Sequence, residues 1–208
     1  MTMEELGGRV ASVWAGLRPA TRSLVERALQ QQAPPPPAPL ARSSAAYDAR
    51  AEWELSRLLA ALDDRVREQH AVSLDAEQTR ELGRVAETCA LVLHHEARSA
   101  EIFAQLFERA LRTHDYRRVD TLADTLAARL PPTEICELAR HPNPAVRALA
   151  HEALAQGPTS ALADLLGDPV DADVARAALA AQADDYGSEE ARWLLNALAR
   201  AEEIEDDE

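Results

Sequence analysis

The chain has 208 residues, with 22 basic side chains against 36 acidic ones and a formal net charge of −14. Apolar residues make up 47% and charged residues 28%, close to the globular averages of about 45–50% and about 25%, so wholesale disorder is excluded. Every basic residue is an arginine, which excludes Schiff-base lysines, a P-loop lysine and lysine acylation together; coding bias in a GC-rich genome is the expected reason for it. Aromatics are only 4%, and an Ala/Leu core suits closely stacked helices better than a sheet.

In chain order, Leu6, Val10, Val13, Trp14 and Leu17 recur at helical spacing, as do Leu24, Val25, Ala28 and Leu29, with Pro19 between them. They predict two short amphipathic helices within residues 1–32. The proline-rich stretch of residues 33–41 cannot continue a helix and reads as an extended linker. Leu55, Leu58, Leu59, Leu62 and Val66 predict a helix over about 47–70, and Asp75 with Gln78 resembles a capping box for the next. That helix carries Leu82, Val85, Ala86, Cys89, Val92 and Leu93; a further one carries Ile102, Phe103, Leu106, Phe107, Ala110 and Leu111.

The turn His114-Asp115-Tyr116 leads into Val119, Leu122, Leu126 and Leu130, stopped by Pro131-Pro132, with Thr133 expected to cap a helix over 134–140. From there the breakers are regular. Helices are predicted over 145–156, 162–166, 174–183 and 189–202, and no segment sustains a period-2 pattern. The organisation is therefore residues 1–32 as an N-terminal appendage, 33–41 as linker, 42–130 as helical hairpins, 131–202 as short helical repeats and 203–208 as an acidic tail.

The charge is uneven. Residues 1–72 hold 9 arginines and 9 acids, 73–130 hold 8 and 10, and 131–208 hold 5 and 17. A solvated tail explains the end of the run, and an acidic surface for a basic partner is the sharper reading. The overall sign argues against nucleic acid. Cys89 and Cys136 sit inside apolar helical patterns with no paired spacing, which predicts buried free thiols in a reducing compartment. The acidic start MTMEELGG lacks a signal peptide's basic region, and no apolar run reaches the ~20 residues of a membrane span, so a cytoplasmic protein is expected.

The stretch LARHPNPAVRALAHEALAQG, residues 138–157, resembles a HEAT repeat of the armadillo-type α-solenoid family. Pro144 stands in the inter-helix turn, followed by Val146-Arg147 and then Ala150, Ala153 and Leu154 at helical spacing. Val174, Ala178 and Ala181 repeat the pattern in a degenerate copy, and Ala191-Arg192 begins a weaker third one. The resemblance implies an all-α, right-handed α-α superhelix with small residues between packed helices and an arginine tying adjacent turns. A tetratricopeptide-like reading of the hairpin in residues 107–126 ranks second, since that family's Trp, Gly and Pro positions are missing.

Helical repeats of this kind present long surfaces, which implies a scaffold or adaptor for another protein, with no cofactor. Arg147, Arg176, Arg192 and Trp193 are the candidate binding residues, and packing inside the repeat is the alternative role for each. From a different class, His95-Glu96 and His151-Glu152 are similar to the His-Glu pairs that hold two irons in HEAT-repeat hydroxylases acting on deoxyhypusine. That family uses four such pairs, whereas this chain has two; adjacent residues on a helix also point about 100° apart, so a site needs several helices. No serine elbow, phosphate-binding glycine loop or readable Cys–His arrangement accompanies them.

Overall fold

The computed structural model describes residues 3–31, 48–68 and 74–206, and the regular structure in them is entirely helical. The proline-rich linker lies outside the described residues. The chain divides into two compact units, Met1–Ala97 and Arg98–Glu208, so the hairpin expected around residues 100–130 falls in the second.

The first unit holds a 3-10 turn (Met3–Leu6) and the helices α1 (Gly8–Gly16), α2 (Pro19–Gln31), α3 (Ala49–Glu68) and α4 (Ala76–Glu96). Its spine is the pairing of the two long helices α3 and α4. α3 buries Leu55, Leu58, Leu59 and Leu62, and α4 buries Leu82, Val85, Ala86, Cys89 and Leu93. Each such leucine gains about 1.5–3 kcal/mol on leaving water. The Asp75 carboxylate accepts from the Gln78 backbone N–H (2.7 Å), while the Gln78 side chain accepts from the Asp75 N–H (3.1 Å). The capping box read from the sequence is therefore in place. α1 packs on α3, and α2 packs on both α3 and α4, which buries Val10, Leu17 and Val25. The helices ahead of the proline stretch are thus docked on their own chain.

The second unit holds α5 (Ala100–Arg112), α6 (Tyr116–Arg129), α7 (Pro132–Ala139), α8 (Pro144–Ala155), α9 (Thr159–Leu165), α10 (Ala172–Asp184) and α11 (Glu189–Asp206). Successive helices pair as hairpins, α5 with α6, α7 with α8, and α9 with α10. Across the hairpins α5 touches α7, α7 touches α9 and α9 touches α11, while α6 touches α8 and α8 touches α10. Odd and even helices therefore form two successions of neighbours. Alanines make the second succession tight, with Ala150, Ala155, Ala175, Ala178 and Ala183 buried along α8 and α10.

The prolines act as helix starts. Pro144 is the first residue of α8, and the Asn143 side chain accepts from the Ala145 N–H (3.0 Å). At α7 the expectation fails. Pro131 occupies the cap position and Pro132 the first turn, so the helix begins two residues early and Thr133 lies inside it with no capping bond. A proline's fixed φ is already helical, and its missing N–H is one the first turn leaves unsatisfied anyway. α9 likewise opens at Thr159 behind Pro158 rather than at residue 162. α11 runs on to Asp206, so its backbone continues through most of the stretch read as a tail.

Candidate functional site

The candidate binding residues sit on α8, α10 and α11. Arg147, one turn into α8, donates through Nη1 to the carbonyls of His141 (2.9 Å) and Pro142 (2.8 Å). Those carbonyls belong to the turn leading into its own helix. Arg192 donates through Nη2 to the Ala183 carbonyl (2.8 Å), near the last turn of α10. Arg140, not singled out from the sequence, does the same kind of work between hairpins. Its Nη1 donates to the buried Asp171 carboxylate (2.7 Å) and to the Val170 carbonyl (3.2 Å). Arg176 is half-buried on α10. For Arg147 and Arg192 the structure thus supplies an internal role: Arg147 satisfies carbonyl groups of the turn between α7 and α8, and Arg192 one that the end of α10 leaves without a helical partner.

Trp193 is different. It faces outward from α11 with 64% of its surface exposed, and Tyr186, in the turn before α11, is 50% exposed. The Tyr186 hydroxyl donates to the Glu152 carboxylate of α8, and the Gln156 side-chain amide donates to the same carboxylate (2.6 Å). The Tyr186 bond, then the Gln156 bond, hold the Glu152 carboxyl below its usual range. The turn between α8 and α9 is tied to α10 by the Gln182 side chain. Its amide donates to the Gly157 carbonyl (2.7 Å) and accepts from the Thr159 hydroxyl (3.0 Å).

The two His-Glu pairs do not form a shared arrangement within either unit. His95 and Glu96 are exposed at the end of α4 in the first unit, whereas His151 is half-buried and Glu152 exposed on α8 in the second. Glu152 is already engaged by Tyr186 and Gln156. Among the described residues no three His, Cys, Asp or Glu side chains are grouped in a way that would hold a metal ion. Both cysteines are buried and unpaired. Burial pushes the Cys89 thiol up to about 12, and burial followed by Asp171 pushes Cys136 to about 11.

Sequence reasoning missed a buried charge cluster in the first unit. The Glu54 carboxylate of α3 accepts from the Thr21 hydroxyl (2.5 Å), from Arg18 Nε (3.0 Å) and from the Arg18 backbone N–H (3.3 Å). Arg18 also donates to Asp48 (2.9 Å). Burial would raise the Glu54 pKa, but the Thr21 and Arg18 bonds outweigh it and hold the carboxyl below its usual range. The signal was present: Glu54 lies four residues before Leu58 and eight before Leu62, on the apolar stripe. Beside this cluster a cleft of about 150 Å³ is lined by Val13, Leu17, Arg50, Trp53, Glu54 and Arg57, with the Arg57 guanidinium 4.7 Å from the Trp53 ring centre.

No family model, curated protein or solved structure matches the chain. Among the described residues no helix is long and apolar enough to cross a membrane.

Proposed function

We propose that this chain is a protein-binding scaffold or adaptor of the cytoplasm, built on HEAT-like helical repeats wound as a right-handed superhelix. The reading rests on one observation, the two successions of neighbouring helices in the second unit, α5–α7–α9–α11 and α6–α8–α10. Repeats arranged this way expose one row of helices along their length, and extended surfaces of that kind grip other proteins. Trp193 and Tyr186 supply the apolar anchors, since exposed aromatics are what protein interfaces favour. Arg147 and Arg192 tie turns and helix ends within the repeat.

The partner is a protein rather than a nucleic acid, because residues 98–208 hold 11 arginines against 22 acids, a net charge of −11. The test is affinity capture from native lysate with full-length wild type and with Trp193→Ala, read by mass spectrometry. A stoichiometric protein captured by the wild type and depleted in the variant supports the reading. Capture that is indifferent to Trp193 and to Tyr186→Ala removes this face. Recovery of one or two bound metal ions per chain with no protein partner overturns the scaffold altogether.

A further inference from the structure

α11 closes the second unit, packing on α10 and α9 with no helix beyond it among the described residues. Its inner side carries the buried Ala191 and the half-buried Leu194, Leu195 and Leu198. On the opposite side Glu189, Trp193, Asn196 and Arg200 follow at steps of four, three and four residues, so they form one stripe along the helix. All four are exposed, and Trp193 stands at the middle of this outward face.

The stripe is complementary to itself when reversed. Consider a second α11 laid antiparallel on the first, about a two-fold axis passing between positions 194 and 195. Glu189 then comes level with Arg200 and Trp193 with Asn196, each pair occurring twice. The groups are available for this. Arg200 donates through Nε to the Asn196 carbonyl one turn back (3.0 Å), which lays the guanidinium along the stripe. Among the described residues the side chains of Glu189, Trp193 and Asn196 have no hydrogen-bond or ion-pair partner, and Arg200 has no carboxylate. Glu190 and Arg192 flank the stripe, Arg192 engaged with the Ala183 carbonyl (2.8 Å). In this register the two come level with Ala199 and Ala197, so neither meets a like charge.

We propose that the α11 stripe binds a second copy of this chain, α11 against α11 in antiparallel register. The proposal rests on the scaffold reading in taking the Trp193 face to be a protein-binding one, and it names the partner. Each copy's Glu189 carboxylate meets the other's Arg200 guanidinium. Each Trp193 ring lies over the other's Asn196, whose amide oxygen accepts from the indole N–H. A tryptophan buries about 150–250 Å², and one helix pair falls short of the about 800 Å² per partner of a standard interface. Asp184 and Asp185 before α11, and the acids that follow Arg200 in the sequence, add like charge between the copies beyond the two ends of the stripe. A transient dimer with a Kd on the order of 100 µM is therefore expected.

The test is sedimentation of the full chain at concentrations up to about 1 mM. It compares wild type, Glu189→Arg, Arg200→Glu, the two changes combined, and an equal mixture of the two single variants. Wild type is expected to pass from one chain to two as concentration rises. Either single reversal sets two like-charged pairs face to face and is expected to weaken association by about tenfold or more. The combined variant is expected to restore it. So is the mixture, because each variant supplies the charge that the other lacks. All positions are exposed, so circular dichroism should be unchanged; if it is not, Glu189→Gln and Arg200→Gln take their place with a smaller loss. A chain that stays monomeric, a dimer indifferent to both positions, or a loss that neither the combination nor the mixture restores overturns the proposal. A monomeric wild type that captures a different protein through Trp193 sinks this proposal and leaves the scaffold. A dimer restored by charge exchange, in a chain that captures no other protein, does the reverse.

Discussion

The two units solve the same problem, packing helices with few aromatics, in opposite ways. The first uses two long helices with leucine-rich faces and lays α1 and α2 across them, pinned by a carboxylate buried against an arginine. The second uses short helices, alanine contacts and side chains that reach back to carbonyl groups at turns, as Arg147, Arg192 and Gln182 do. Long helices gain stability from apolar area, so a single polar cluster can fix how others cross them. Short helices bury less each, and the ends matter more, because a larger share of their backbone groups lacks a helical partner.

The largest effect that sharpens this contrast is expected from a buried aromatic pair of the second unit. Phe103 and Phe107 are both fully buried on α5, 6.4 Å apart between ring centres. Phe103→Ala should cost about 3–5 kcal/mol in denaturant unfolding; a loss below about 1 kcal/mol would show that short-helix packing tolerates cavities the long helices do not.

Next comes Glu54→Gln, which leaves Arg18 without its buried carboxylate and should cost about 2 kcal/mol. Because the Glu54 pKa is lowered on folding from the ordinary 4.5, its contribution is complete above that value. It is lost as pH falls through the lower folded value. Asp48, held down by the Ala51 backbone N–H and by Arg18, acts in the same sense. Melting temperature measured against pH should therefore fall more steeply below about pH 4.5 in wild type than in the Glu54→Gln variant. Parallel curves would remove the buried pair from the account of the first unit.

Gln182→Ala strips the partners from the Gly157 carbonyl and the Thr159 hydroxyl and should cost about 1–3 kcal/mol. Asp75→Ala removes the capping box of α4 and should cost about 1 kcal/mol. An equal loss from both would deny that side-chain links to turns matter more in the second unit. The smallest change is expected from Trp193→Ala, within about 0.5 kcal/mol, since the ring is mostly exposed. A larger destabilisation would assign Trp193 to packing and take it away from any interface.

Element positions were legible because the breakers are strong and the apolar spacing is helical throughout. Asp75 with Gln78 gave the start of α4, and Pro144 with Asn143 gave the start of α8. Thr133 misled because a good capping residue lost to two prolines that fix the helix start by backbone geometry alone. The partner of Glu54 was not legible, since Arg18 lies 36 residues away across the proline stretch and only the fold brings them together. The tying role of Arg147 could be anticipated because its acceptors are 5 and 6 residues earlier. Arg192, matched to Arg147 by the same resemblance, reaches a carbonyl nine residues earlier on the preceding helix, an acceptor that no side chain marks in the sequence.

The buried thiols give the molecule a pair of internal clocks. Cys89 belongs to the first unit and Cys136 to the second, and the chain has no other sulfhydryl. With each pKa held far above neutrality, neither reacts until its surroundings open. When reclosing outruns labelling, the rate of modification by one alkylating reagent equals the rate for an unfolded thiol multiplied by the local opening constant. One time course, resolved by mass spectrometry into two sites, therefore reads the opening free energy of each unit separately in an unmutated chain.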